Sequence, residues 1–121
     1  MGKVTQSFVN NVPLERVTAT IPLNGSTTGT VVCTKYQLLG VHIPASFTGT
    51  SITFACSFNN EAAFNPVCQK GTATAYSITV SPGRYIPVDS DLFRGVEFLR
   101  LTSGSIEVAA RDIICILGPS S

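Results

Sequence analysis

Ser51-Ile52-Thr53-Phe54-Ala55-Cys56-Ser57-Phe58 is the stretch whose reading decides the fold. Ile52, Phe54, Cys56 and Phe58 alternate with Thr53, Ala55 and Ser57, so an extended chain puts the larger apolar side chains on one face. That is a strand with one buried side. Asn59-Asn60-Glu61 supplies the turn after it. Downstream, Tyr76 to Val80, Arg84 to Val88 and Val96 to Leu101 repeat the pattern of short β-branched and aromatic runs, with Ser81-Pro82-Gly83 as a break between the first two. Upstream, Val17, Ala19 and Ile21 alternate through Glu15 to Ile21, Thr30 to Thr34 reads as a short strand, and Tyr36 to Ile43 as a longer one.

Phe64 to Cys68 reads as an edge strand, because Pro66 has no N–H for a central ladder. Arg111 to Leu117 closes the series. Asp89 to Gly95 begins with an Asp at a cap-like position and ends in Gly, which reads as a single helical turn. About eight strands with almost no helix predict an all-β, two-sheet antiparallel sandwich of jelly-roll or Greek-key type. The predicted core is Val17, Ile21, Leu39, Val41, Ile52, Phe54, Cys56, Ile78, Val80, Ile86, Phe98, Leu101, Ile114 and Ile116. Residues 1–13, with Asn10-Asn11 and Pro13 and no clear periodicity, read as an extended N-terminal arm, and residues 14–121 as the sandwich domain.

Composition narrows the function. The chain has 121 residues, a one-domain length, and is 44% hydrophobic but only 12% charged, where about 25% charged is typical. Thr, Ser, Asn and Gly stand where a free monomer carries charge, so much of the surface is expected to be covered by neighbours. The net charge is +1 and the eight basic residues are scattered, which excludes a basic stripe for direct nucleic-acid binding. No apolar run reaches transmembrane length. Met1 to Gln6 carries no signal-peptide core and Gln6 breaks the myristoylation pattern, so synthesis in the cytoplasm of the producing cell with reduced thiols is expected.

The sequence has no positive sign of an enzyme, cofactor or metal site. His42 is the single histidine, so any Ser-His or Cys-His pair must pass through it, and it sits mid-strand without a companion motif. Cys33, Cys56, Cys68 and Cys115 form no C-x-x-C pair. Cys56 and Cys115 read as small buried hydrophobes. Asp89 and Asp91 read as cap and turn residues rather than as a glycosidase pair. The Asn24-to-Gly29 loop has Gly but no Lys and precedes no helix, so it is not a phosphate cradle. Tyr36, Tyr76 and Tyr85 leave sugar binding open.

Five further segments carry a resemblance. Ile52-Thr53-Phe54, Phe64-Asn65-Pro66-Val67, Arg84-Tyr85-Ile86-Pro87-Val88-Asp89, Phe93-Arg94-Gly95 and Phe98-Leu99-Arg100-Leu101-Thr102-Ser103-Gly104 together resemble small virion proteins of tailed phages. The likeness covers roughly Ser51 to Leu117, and it departs at Asn59-Asn60-Glu61-Ala62-Ala63, where such chains often carry an Asp-Gly-Gly type of turn. It implies a jelly-roll decoration or cement protein on the outer capsid surface, binding the major capsid protein and neighbouring copies of itself. Carbohydrate binding or an adaptor role in a tail fibre or baseplate is the alternative. The expected contacts are Lys3, Val4, Phe8, Val9 and Val12 of the arm, Asn24 and Thr27 of one loop, and Asn59, Asn60 and Phe64 of another, with strand addition as the arm's mode.

Overall fold

A computed structural model describes residues 8–9, 12–58 and 63–119. Its strands are β1 (Phe8–Val9), β2 (Val12–Pro13), β3 (Glu15–Ile21), β4 (Val31–Val32), β5 (Tyr36–His42) and β6 (Ser51–Ser57), followed by β7 (Asn65–Pro66), β8 (Ser77–Thr79), β9 (Tyr85–Pro87), β10 (Phe98–Ser103) and β11 (Arg111–Pro119). Every pairing is antiparallel. One sheet runs β3-β11-β5-β9, and the other runs β4-β10-β6 with β7 and β8 both on the far edge of β6. From β3 to β6 successive strands alternate between the sheets, and from β9 to β11 they do so again. That winding is a jelly roll, the sandwich the alternation predicts.

The two short strands on β6 are one strand position interrupted. β7 pairs Asn65 with Cys56 and Pro66 with Ala55, and the Val67 N–H continues the ladder to the Phe54 carbonyl at 2.9 Å. The chain then leaves the sheet. Cys68 bridges to Ala75, the Tyr76 N–H donates to the Val67 carbonyl at 2.8 Å, and β8 resumes opposite Thr53, Ile52 and Ser51. The excursion breaks what would be a long free edge into two short pieces, with Pro66 on the outside where its missing donor costs nothing.

Of the arm expected over residues 1–13, the described part is β1 and β2, which pair with each other, Phe8 opposite Pro13 and Val9 opposite Val12. The helical turn is a 3-10 segment, Ser90–Phe93. Asp89 stands at its N-cap without a side-chain cap bond, a correction to the capping role expected of it. Its backbone N–H donates instead to the Tyr76 hydroxyl at 3.0 Å. That anchors Tyr76 in a cluster with Phe54 and Phe93, whose ring centroids lie 5.0 Å apart in an edge-to-face contact.

Ile21, Val41, Ile52, Phe54, Cys56, Ile78, Val80 and Leu101 are buried as expected. The last strand is one residue out of the predicted phase: Ile113, Cys115 and Leu117 are the buried set, while Ile114 and Ile116 are only partly covered. Five consecutive apolar residues contain no alternation, so their phase is set by pairing, which puts Ile113 opposite Ala19 and Cys115 opposite Val41. In β10 likewise Leu99 and Leu101 point inward and Phe98 does not. Val17 and Ile86, also expected inside, lie partly covered at the margin of the core.

In β5 the register slips: Ile116 faces Gly40 but Leu117 faces Leu38, leaving Leu39 as the extra residue of a bulge. The inward phase switches there from Leu38 to Val41. Leu39 packs over Gly118, where a Cβ would meet its Cδ1 at 2.7 Å. The register makes a direct prediction for chemical unfolding. Ile113→Ala should cost about 2–5 kcal/mol and Ile114→Ala well under half as much; equal losses would mean that the phase of β11 is wrong.

Candidate interaction surface

The connection from β10 to β11 carries a buried carboxylate. Glu107 has no exposed surface, and its Oε1 accepts from Arg111 Nε at 2.9 Å and from the Thr48 N–H at 3.1 Å. Oε2 accepts from the Gly49 N–H at 3.0 Å and from Ser103 Oγ at 3.3 Å. The Glu107 N–H donates to the Gly25 carbonyl and its own carbonyl accepts from the Asn24 N–H, at 2.9 and 2.8 Å. Three separate chain reversals therefore meet at one residue, two of them at its carboxylate and the third at its backbone. Gly49 is required by this approach, since a Cβ there would stand 2.2 Å from Ser103 Oγ and 3.4 Å from Glu107 Oε2.

Burial by itself would push the Glu107 carboxyl up, but the Arg111 guanidinium and the Thr48 and Gly49 N–H groups outweigh it and hold the group below the ordinary glutamate value. With Glu107 turned inward, its neighbours Ile106 and Val108 are turned out. They are 65% and 69% exposed, and Leu23, beside Asn24, is 62% exposed. The result is a group of apolar side chains on a firmly tied base at one end of the sandwich.

A second surface lies on the outer face of the β4-β10-β6 sheet. The Arg100 guanidinium carbon sits 4.1 Å from the Phe64 ring centroid, and its Nε donates to Thr30 Oγ1 at 3.2 Å. Beside it is a depression of about 320 Å³ lined by Thr53, Phe54, Ala55, Phe64, Pro66, Ala75 and Thr102.

The expected contact residues divide between these places. Asn24 is in the Glu107 end, in the left-handed region at φ 63°, which Asn tolerates. Thr27 shares a hydroxyl contact of 3.1 Å with Thr102, and Phe64 carries Arg100. Phe8, Val9 and Val12 fall in the β1-β2 pair. Lys3, Val4, Asn59 and Asn60 lie outside the described residues. Sequence reasoning missed Glu107, Arg111, Arg100, Ile106 and Val108. By strand alternation, Ile106-Glu107-Val108 reads as outward Glu between inward aliphatics, the reverse of what the structure does.

His42 faces solvent from β5, whereas Cys33 is in the core with its thiol pushed up to about 12 by burial, so the two do not meet. Cys115 is raised to about 12 by the same cause, with Cys33 adding to it. Among the described residues no group of three His, Cys, Asp or Glu is placed to hold a metal ion, and no helix is long and apolar enough to cross a membrane. No protein-family model, no curated protein and no solved structure matches this chain.

Two outcomes follow. A glutamate whose carboxyl titrates lower in the folded than in the unfolded chain stabilises the fold fully above its unfolded value, about 4.3, and this is lost as pH falls through the folded value. Glu107→Gln should cost about 3–5 kcal/mol at neutral pH, because Arg111 is left without its anion, and the difference from wild type should shrink on acidification. A pH-independent difference in urea midpoints would refute that account. In thiol labelling of the native protein, Cys68 should react first, with Cys33 and Cys115 reacting only on unfolding; early loss of either buried thiol would contradict the core described above.

Proposed function

We propose that this chain is a structural protein of a tailed-phage virion, a decoration or cement protein that binds across major capsid protein subunits on the outer shell and stabilises it. The observation that carries this reading is the tied apolar end: Leu23, Ile106 and Val108 stand exposed on loops that Glu107 and Arg111 hold in place. Apolar groups on a pre-ordered base lose little conformational freedom on docking, so more of their burial goes into affinity. The low charge of the chain and the jelly-roll winding support the same reading. So does the order of motifs between Ser51 and Leu117. Many modest contacts repeated over a lattice add through multivalency, and binding only to assembled shell raises the free energy of removing a subunit.

The sugar-binding alternative has less support. Tyr36 and Tyr76 are packed against the core, and the Tyr76 hydroxyl is occupied by Asp89. Of the three tyrosines, Tyr85 alone is exposed.

Co-sedimentation of the full chain with shells lacking it should saturate at a fixed ratio to the major capsid protein, and the loaded shells should withstand more heat. The double variant Ile106→Asp with Val108→Asp should keep its thermal midpoint, since both positions are exposed, and lose on the order of tenfold or more in shell affinity. Failure of the wild type to pellet with shells would refute the proposal.

A further inference from the structure

We propose that the open edge of β3 is a strand-addition site and that its occupant is residues 1–7 of the same chain, which close it as an outermost strand. The inference stands on backbone register and does not rest on the capsid reading. Among the described residues β3 is paired on one side alone, to β11. At seven residues it is far longer than the edges formed by β4, β7, β8 and β9. An uncovered row of N–H and C=O groups of that length invites pairing with other chains, so it needs a cover.

Two prolines fix which backbone groups are free. Successive residues of a strand present their N–H and C=O to opposite sides. Pro87 has no N–H, so its pair with Gly40 is a non-hydrogen-bonded one and Gly40 turns its groups to β11. There it meets Ile116, and alternation along β11 leaves Ile113, Cys115 and Leu117 to bond Ala19, Val17 and Glu15. Arg16, Thr18 and Thr20 therefore face the open side. The Thr20 carbonyl agrees, since it accepts from the Gly29 N–H at 3.3 Å. Among the described residues that leaves the backbone groups of Arg16 and Thr18 unclaimed.

The β1-β2 pair already starts a strand along that side. Phe8 stands opposite Pro13 and Val9 opposite Val12; Pro13 cannot donate, so Val9 and Val12 are the bonded pair and Val12 faces β1. Val12, Arg16 and Thr18 have the same parity, and only Leu14 separates β2 from β3, so one side of the chain runs from the partner of β1 to the open edge. Continuing the register back from Phe8 puts Thr5 opposite Arg16 and Lys3 opposite Thr18 as bonded pairs, with Val4 opposite Val17 and Gly2 opposite Ala19. The side chains match this pairing. Val4 falls beside Val17, which the core covers only in part, while Lys3 and Thr5 fall on the wet face with the exposed Thr18 and Arg16. A groove of about 240 Å³ lined by Leu14, Glu15, Arg16 and Ile116 lies where the small side chains of Thr5 and Ser7 would run. The β3 strand of a second copy is the poorer occupant, because β1 stands in its line and a segment tethered to β1 binds without an association cost.

The test is NMR on the full chain labelled with ¹³C and ¹⁵N. A non-hydrogen-bonded antiparallel pair brings Cα atoms to about 4.5 Å, so Val4 and Val17 should show an Hα–Hα contact, and the Arg16 and Thr18 amides should exchange slowly with solvent. Thr5→Pro removes the donor to the Arg16 carbonyl and should speed exchange at Arg16 and Thr18 on the order of tenfold. Val4→Pro, whose lost N–H faces solvent, should leave both slow. Ala19, bonded to β11, should stay protected in both variants and so report an intact sandwich. Absence of the Val4–Val17 contact in the wild type, fast exchange at Arg16 and Thr18, or equal responses to the two prolines overturns the proposal. So does a Val4–Val17 contact that appears only between labelled and unlabelled copies in a mixed sample, which would make the strand a neighbour's arm. If the edge is closed as described but the chain does not pellet with shells, the closure stands and the capsid reading is refuted.

Discussion

One buried carboxylate organises an entire end of this sandwich. Taking a glutamate out of water costs several kcal/mol unless its charge is matched and its lone pairs are filled. Glu107 meets both conditions, through Arg111 at 2.9 Å and three further donors from Thr48, Gly49 and Ser103. Because the carboxylate joins two separate reversals of the chain and the Glu107 backbone bonds Asn24 and Gly25 in a third, the interaction is a spatial constraint more than a source of net stability. It sets how the crossing between the sheets near residues 22–29 approaches the loop before β11. The neighbouring bonds, Ser103 N–H to the Ser26 carbonyl and Thr28 N–H to the Leu101 carbonyl at 2.7 and 2.9 Å, extend the same seam down β10.

The seam has a consequence for the surface. In the connection between β10 and β11 Glu107 is buried while Ile106 and Val108 on either side of it are exposed, so the exposed apolar end and the buried ion pair are two sides of one backbone conformation. Removing the charge would loosen the loops that present the apolar groups. Stability and docking are coupled at this end for that reason. The outer sheet face is independent of it, since Arg100 is fixed by Phe64 and Thr30. The few charged residues of this chain include one in its core and one bound to an aromatic ring.

Edges are the other constraint on a sandwich. The β4, β7, β8 and β9 edges are two or three residues long, too short to template another chain, whereas the fourth edge, β3, runs for seven residues. The excursion from Cys68 to Ala75 is what keeps the β7-β8 position short. It also places Ala75 beside Pro66 and so shapes the depression next to Arg100. A device that limits edge pairing has therefore also produced a concave feature on the face.

Much of the fold is legible in the residues alone, because a strand with one wet face must alternate and a turn must use residues that tolerate it. Ile52-Thr53-Phe54-Ala55-Cys56 shows its buried side in this way, and so do Ala19 and Ile21. Alternation fails as a guide where every residue is apolar, as in Ile113 to Leu117, since either phase buries a hydrophobe and only pairing with β3 and β5 decides. It fails again at Leu39, where the bulge inserts a residue that no composition signal marks. The candidate sites were less legible for the same reason. Glu107 and Thr48 are 59 residues apart, and Arg100 and Thr30 are 70 apart. Local patterning determined that this chain forms strands and which faces of the regular ones are dry. The partners of a buried charge and of a stacked guanidinium were decided by the tertiary structure, because they are contacts between distant segments that exist only once the sheets have closed.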